Sequence, residues 1–256
     1  MIDKKIIDFL NKEVKSRDSY NEISIEKPDP LLVVYDNKEE YSALIASMFA
    51  YGRAGLIVKF LKELDFSLLD QKEKKIKKEL KSLYYRFQNS EDIINIFITL
   101  RRLKQNSSLE DLFYDSYKKE NSVIDGIATL IDEIYSINPY RKRGYNFLIG
   151  SSNIKLKGGS AYKRWNLFLR WMVRKDKIDL GLWKKIDKKD LIIPLDTHLH
   201  SVGTKLGFLT RKQKDLQAAI ELTNSLKQLD KDDPTKYDLA LYRIGQENII
   251  KNFYKK

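Results

Sequence analysis

Apolar residues in this chain recur at intervals of three and four, and almost nowhere alternate with polar ones over a useful length. That feature rules out a sheet-based fold, since a half-buried strand needs a period of two and an amphipathic helix a period of 3.6. Tyr41, Leu44, Ile45, Met48 and Phe49 mark a helix from Glu39 to Gly52. Trp165, Phe168, Leu169 and Met172 fall at i, i+3, i+4, i+7 in another. Breaks are sparse, with 11 glycines and 5 prolines in 256 residues. The reading is all-α, with no internal repeat and no low-complexity segment.

The same period places the other elements. Residues 2–15 form a helix with Ile2, Ile6, Phe9 or Leu10, and Val14 inward. Residues 23–35 contain Lys27-Pro28-Asp29-Pro30 and read as an irregular connection. Helical patterns follow at 56–64 and at 72–81. The second of these is heavily charged but keeps Ile76, Leu80 and Leu83 in phase, so its charges read as a solvated face. Asn89-Ser90 cap a helix over 91–103, Ser107-Ser108 open another through Leu109, Leu112 and Phe113, and the pattern resumes over 123–135. Residues 138–144 break the helices, with Arg141, Lys142 and Arg143 as candidate phosphate contacts. Thr210-Arg211-Lys212 open a helix through Leu226, and the last helix runs from Lys236 to about Lys251.

A length of 256 residues with 42% hydrophobic content suits one large domain or two lobes with a real core. There is no cysteine. That excludes a disulfide framework, a cysteine-ligated zinc site and an iron–sulfur cluster. Met1-Ile2-Asp3-Lys4-Lys5 leads straight into a charged helix rather than a signal peptide, and the longest weakly polar run, 43–51, is too short to span a bilayer. A cytoplasmic location is expected. The net charge of +12 is unevenly spread: residues 151–200 hold twelve Lys or Arg against five Asp. Such a concentration suits a polyanionic partner, although a lysine-rich composition also serves solubility alone.

The basic stretch is also where chemistry is readable. Gly158-Gly159-Ser160 open the helix of Trp165, with Ser160 as its natural N-cap, so Lys163 falls in the first turn. A cation is disfavoured at that positive end of the helix dipole, and broken local rules tend to mark functional positions. Schiff-base chemistry needs a lysine's free amine. On a helical wheel Lys163 shares its side with Leu167, Arg170 and Arg174, which should face a cleft or solvent. Downstream, Pro194 disfavours helix at Ile193, and Asp196 caps a helix running to about Gly207. One amine and one carboxylate, each at the mouth of a helix, form a usable pair.

Gly158-Gly159-Ser160-Ala161-Tyr162-Lys163 followed by Pro194-Leu195-Asp196-Thr197-His198 resembles the helix-hairpin-helix DNA glycosylases of the endonuclease III and 8-oxoguanine glycosylase superfamily. In that family a hairpin Leu-Pro-Gly-Val-Gly-x-Lys supplies a Schiff-base lysine, and a later Pro-Val-Asp-x-His supplies the catalytic aspartate. The wide spacing of the two motifs is most similar to the archaeal 8-oxoguanine branch. The run from Lys163 to Arg174 also resembles one in a bacterial family of uncharacterised proteins. The hairpin departs from the pattern: it has one extra residue, Lys157 in place of proline, and Ala161 in place of the second glycine.

The resemblance implies a two-lobed, all-α glycosylase fold with a cleft between lobes, the middle lobe at about 40–160 and the second at about 1–39 plus 161–256. It implies a bifunctional glycosylase/AP lyase acting on an oxidised purine, 8-oxoguanine first, in double-stranded DNA. The protein would be a nucleoid-associated monomer that meets no membrane. Lys163 would be the nucleophile and Asp196 its acid–base partner. Asp238 and Tyr242, at i, i+4, and Pro194 would line the pocket for the extruded base. Gly158, Gly159, His198, Arg170 and Arg174 would contact phosphates. No cofactor is implied beyond a monovalent cation held by hairpin carbonyls. Each residue also has a plainer reading: Lys163 solvated, Asp196 only a cap, the glycines only a turn, Tyr242 core. A non-catalytic DNA-binding or damage-sensing protein is the first rival. A metal-dependent hydrolase on Asp196, His198 and His200 is the second, although i, i+2 histidines on a helix diverge.

Overall fold

A computed structural model describes residues 3–250. The fold is all-α: among the described residues there are twelve α-helices and four short 3-10 helices, and β-pairing is confined to isolated bridges such as Tyr85 to Gln88. Ile2 and Lys251 lie outside the described residues. The chain forms two compact units, residues 23–153 and residues 1–22 with 154–256; the lobe boundaries that the resemblance implies lie near 40 and 160.

Helix α1 (Lys4–Arg17) is capped by Asp3, whose side chain accepts the Lys5 amide, and buries Leu10. It belongs to the discontinuous unit. The continuous unit holds α2 (Glu40–Met48), α3 (Ala54–Lys62), α4 (Glu73–Leu80), α5 (Ser90–Lys104), α6 (Leu109–Glu120), α7 (Val123–Ile137) and α8 (Arg143–Ile149). Every residue of α2 from Tyr41 to Met48 is buried, so α2 is the core of that unit. Helices α6 and α7 pack closely where Gly126 lies under the Phe113 ring, a space that any Cβ would overlap.

Asp92 ties α5 to α8. It completes a capping box with Asn89 at the start of α5, and it also accepts the Tyr140 hydroxyl and the Tyr145 amide. A side chain at position 144 would collide with that carboxylate, which is why glycine stands there. The sequence reading treats 138–144 as a break and does not foresee α8, because its cap comes from a residue some fifty positions earlier. Arg141 is not turned toward phosphate. Its guanidinium donates to the carbonyls of Tyr135, Asn138 and Tyr140 and closes the end of α7.

The discontinuous unit is completed by α9 (Lys163–Val173), α10 (Thr197–Lys205), α11 (Leu216–Lys227) and α12 (Asp238–Gln246). After α9 the chain folds back, with the Leu180 and Gly181 amides donating to the Trp171 carbonyl and Trp183 to that of Met172. Helix α1 is fastened to the C-terminal segment by Arg17 to Glu247 at 2.8 Å, Arg243 to Glu22 at 2.9 Å, and Tyr237 to Asn11 at 3.0 Å. Helices α10 and α12 approach closely at Gly245, where a Cβ would sit 2.9 Å from that of His198. Helix α11 begins at Leu216 and not at Thr210, because Asp215 is the residue whose carboxylate caps it.

Candidate active site

Lys163 is the first residue of α9, and the backbone just before it is unusual. The N-cap is Tyr162, at φ 50° and ψ 34°, and not Ser160. A left-handed conformation is costly for a bulky residue and is found where surrounding structure over-determines it. Here the Ser160 hydroxyl accepts the Tyr162 amide at 3.0 Å, and the buried Asn166 donates from its side chain to the Ala161 carbonyl at 3.1 Å. Burial of the Tyr162 ring completes the hold and pushes its hydroxyl pKa up. No acidic residue stands in the first turn of α9, so its positive end has no carboxylate of its own.

That carboxylate comes from another helix. Asp196 caps α10: one oxygen accepts the His198 amide at 2.8 Å and the Leu199 amide at 2.9 Å. The other oxygen lies 3.4 Å from Lys163 Nζ. The two residues stand 33 positions apart in sequence, and the fold brings them together at the mouths of α9 and α10. The Lys163 side chain is 37% exposed and that of Asp196 13%, so the pair opens to solvent on the amine side. A half-exposed ion pair contributes at most about 1 kcal/mol. Its stabilising value is therefore modest beside the cap, worth about 1 kcal/mol on its own.

Near the pair, the His198 ring meets Tyr242 edge to face at 5.5 Å, and Pro194 is buried in the extended approach to Asp196. His200 points elsewhere, its Nε2 bonded to the Arg211 carbonyl at 2.9 Å. Among the described residues no three His, Asp or Glu side chains are grouped to hold a metal ion.

Three expected roles need correction. Arg170 and Arg174 do not reach toward phosphate: they are 3% and 8% exposed and lie in an internal ion-pair cluster. Arg170 pairs with Asp179 and Asp238; Arg174 pairs with Asp176, Asp179 and Asp233. With Leu167 also buried, the side of α9 that a wheel assigns to a cleft is packed. Asp238, the expected base-pocket acid, is 5% exposed and held by Arg170. Two guanidiniums face four carboxylates here, and the balance shows. Burial pushes the Asp238 carboxyl up to about 6; Arg170 opposes the rise, while the charges of Asp196 and Asp179 add to it. Burial likewise raises Asp179 above the usual carboxylate range, against the pull of both arginines.

The hairpin glycines are placed but differently engaged. Gly158, at φ +70°, has an exposed position, yet its amide donates to Asp215 at 2.8 Å. Asp215 also accepts from Arg211 and the Ala218 amide, and Gln217 N–H bonds the Leu156 carbonyl at 2.8 Å. Residues 156–158 are thus clipped to the start of α11. Hydrogen bonds from Arg211, then from Gly158 and Ala218, hold the Asp215 carboxyl well below the usual carboxylate range. Gly159 sits in a tight turn over the Lys155 carbonyl. Sequence reasoning misses Asp179, Asp215 and Tyr162. The first two carry a signal, an aspartate just behind Arg174 and one just before an apolar-periodic run; the third carries none.

Among the described residues no helix is long and apolar enough to cross a membrane. No curated protein and no solved structure matches the chain. The profile of a family described as a protein of unknown function, DUF2400, matches residues 29–247. That span covers most of the 256 residues and takes in Lys163, Asp196, the buried charge cluster and the hairpin clip, and the chain therefore belongs to the DUF2400 family.

Proposed function

We propose that this protein is a DNA glycosylase with AP-lyase activity, built as a two-lobed helix-hairpin-helix enzyme and acting on an oxidised purine, 8-oxoguanine first. The observation that carries this reading is the 3.4 Å approach of Lys163 Nζ to Asp196, with each group fixed at a helix mouth. Asp196 takes a proton from Lys163, and the freed amine attacks C1′ of the extruded nucleotide. The glycosidic C–N bond breaks, and the base leaves with the electron pair and the proton that Asp196 had taken, which restores the Asp196 carboxylate. Opening of the sugar ring gives an imine on Lys163. Loss of a C2′ proton then expels the 3′ phosphate by β-elimination. The Asp196 carboxylate also stabilises positive charge on the sugar as the base departs. Two backbone N–H bonds hold it in place throughout.

Borohydride trapping is the direct test. Wild type should form a covalent adduct with an abasic or an 8-oxoguanine duplex, and Lys163→Gln should form none while still binding DNA. An untrapped wild type on both duplexes would end the lyase reading.

A second reading, a non-catalytic DNA-binding or damage-sensing protein, draws support from two contacts. Asp238 is engaged by Arg170, and the Gly158 amide by Asp215. Steeply salt-dependent duplex binding with no base release on a panel of lesions would favour it.

A further inference from the structure

Helix α4 is assembled against its own electrostatics. Its N-cap is Lys72, which makes no capping hydrogen bond, and Lys74 and Lys75 stand in the first turn, where a helix favours acids. Lys74 and Lys78, and Lys77 and Lys81, are like-charge pairs at i, i+4, each mildly destabilising. The one acid of the first turn, Glu73, is drawn away to Arg102 at 2.7 Å, leaving Glu79 alone among the six lysines. All six lysines are exposed, and none of their side chains makes a hydrogen bond or ion pair among the described residues. Ile76 and Leu80 anchor the opposite side at 0% and 2% exposure.

The character of the ridge selects its partner. A membrane-surface helix must present an apolar face, and the apolar face of α4 is already buried in its own unit. A protein partner would call for an aromatic or arginine anchor, and lysine is depleted at protein interfaces. A row of flexible, unpaired ammonium groups spaced about 6 Å apart along the helix suits a chain of phosphates, which lysine meets as a point charge. We infer that the Lys72–Lys81 ridge of α4 is a nucleic-acid backbone contact, separate from the Lys163 site and sequence-independent. This inference does not require that Lys163 be catalytic.

The test compares wild type with a variant carrying Lys74→Gln, Lys75→Gln, Lys78→Gln and Lys81→Gln. Fluorescence anisotropy with a short undamaged duplex is read across a salt series. Each lost phosphate contact lowers the slope of log K against log salt by about 0.9. Two engaged lysines therefore reduce it by about 1.8, and binding at about 0.1 M salt weakens about 60-fold if the proteins bind equally at 1 M. The variant should melt no lower than wild type, because it removes like-charge pairs, so weakened binding cannot be assigned to misfolding. Unchanged slope and affinity would overturn the inference. So would a variant that keeps its DNA affinity but loses binding to phosphatidylserine vesicles or to polyglutamate. Borohydride trapping is run on the same proteins. A wild type that traps nothing but shows the slope change removes the lyase reading and leaves the ridge standing. A wild type that traps normally with an unchanged slope does the reverse.

Discussion

Replacing Asp238 with asparagine tests the charge balance beneath the Lys163 site. Asp238 is buried beside Arg170, within a cluster that has more carboxylates than guanidiniums, and its carboxyl is pushed up to about 6. In the unfolded chain an aspartate titrates near about 3.9. Between about pH 4 and pH 6 the folded protein therefore holds a proton that the unfolded chain has released. The stability contributed by this group is complete below about pH 4 and is lost as pH rises through 6. A shift of about two units, at about 1.36 kcal/mol each, makes the loss about 3 kcal/mol. Asp238→Asn cannot titrate and should lack that loss. Urea unfolding followed by tryptophan fluorescence is a suitable assay, because Trp165, Trp171 and Trp183 all lie in the unit that contains Asp238. Asp176 and Asp215, whose pKa values are lowered, pull the wild type the opposite way on acidification. The informative quantity is therefore the stability of wild type minus that of the variant. It should fall by about 2 kcal/mol between about pH 4.5 and pH 7. A difference that stays flat or grows with pH would show that Arg170 dominates and that Asp238 is an ordinary ion-paired acid.

Three further outcomes follow from contacts described above. Asp196→Asn should leave stability within about 0.5 kcal/mol, since asparagine caps as well as aspartate, while base release in a single-turnover assay slows about 100-fold or more. Gly245→Ala places a methyl 2.9 Å from the His198 Cβ and should cost about 1–3 kcal/mol in urea unfolding. Asp215→Ala removes the α11 cap, the Gly158 anchor and the Arg211 partner together, and about 2–4 kcal/mol should be lost at pH 7. Because the Asp215 pKa is lowered by folding, this contribution is present above the unfolded aspartate value near about 3.9 and disappears as pH falls below it. The two proteins should therefore converge in stability in acid.

Helices whose caps and apolar stripe are local could be read from the chain, and those governed by distant partners could not. Asn89 caps α5 and Asp196 caps α10 as their sequence context predicts. Arg170 and Arg174 show where local reading ends. A helical wheel sends charged residues to solvent, but here Asp176 and Asp179 just downstream, together with Asp233 and Asp238 some sixty positions later, offset the cost of their burial. The start of α11 slips for a related reason: Arg211 looks like part of a first turn, but its guanidinium reaches forward to the true cap, Asp215. Tyr162 has no signature at all, because a left-handed tyrosine is imposed by its neighbours and not by its own preference. The pairing of Lys163 with Asp196 is legible as two helix mouths, while the 3.4 Å between them is a property of the fold alone.

The discontinuous unit also sets an order of events on the ribosome. Residues 23–153 are made in one piece and can condense as soon as they emerge, whereas α1 is made before them and docks on α12, which is made after them. At about 5–20 residues per second, translation of the residues between α1 and the end of α12 leaves α1 waiting for about 10–45 s. During that interval Leu10 and its neighbours have no home, and the nascent chain is a client for any chaperone that meets an unsheltered apolar helix near the exit tunnel.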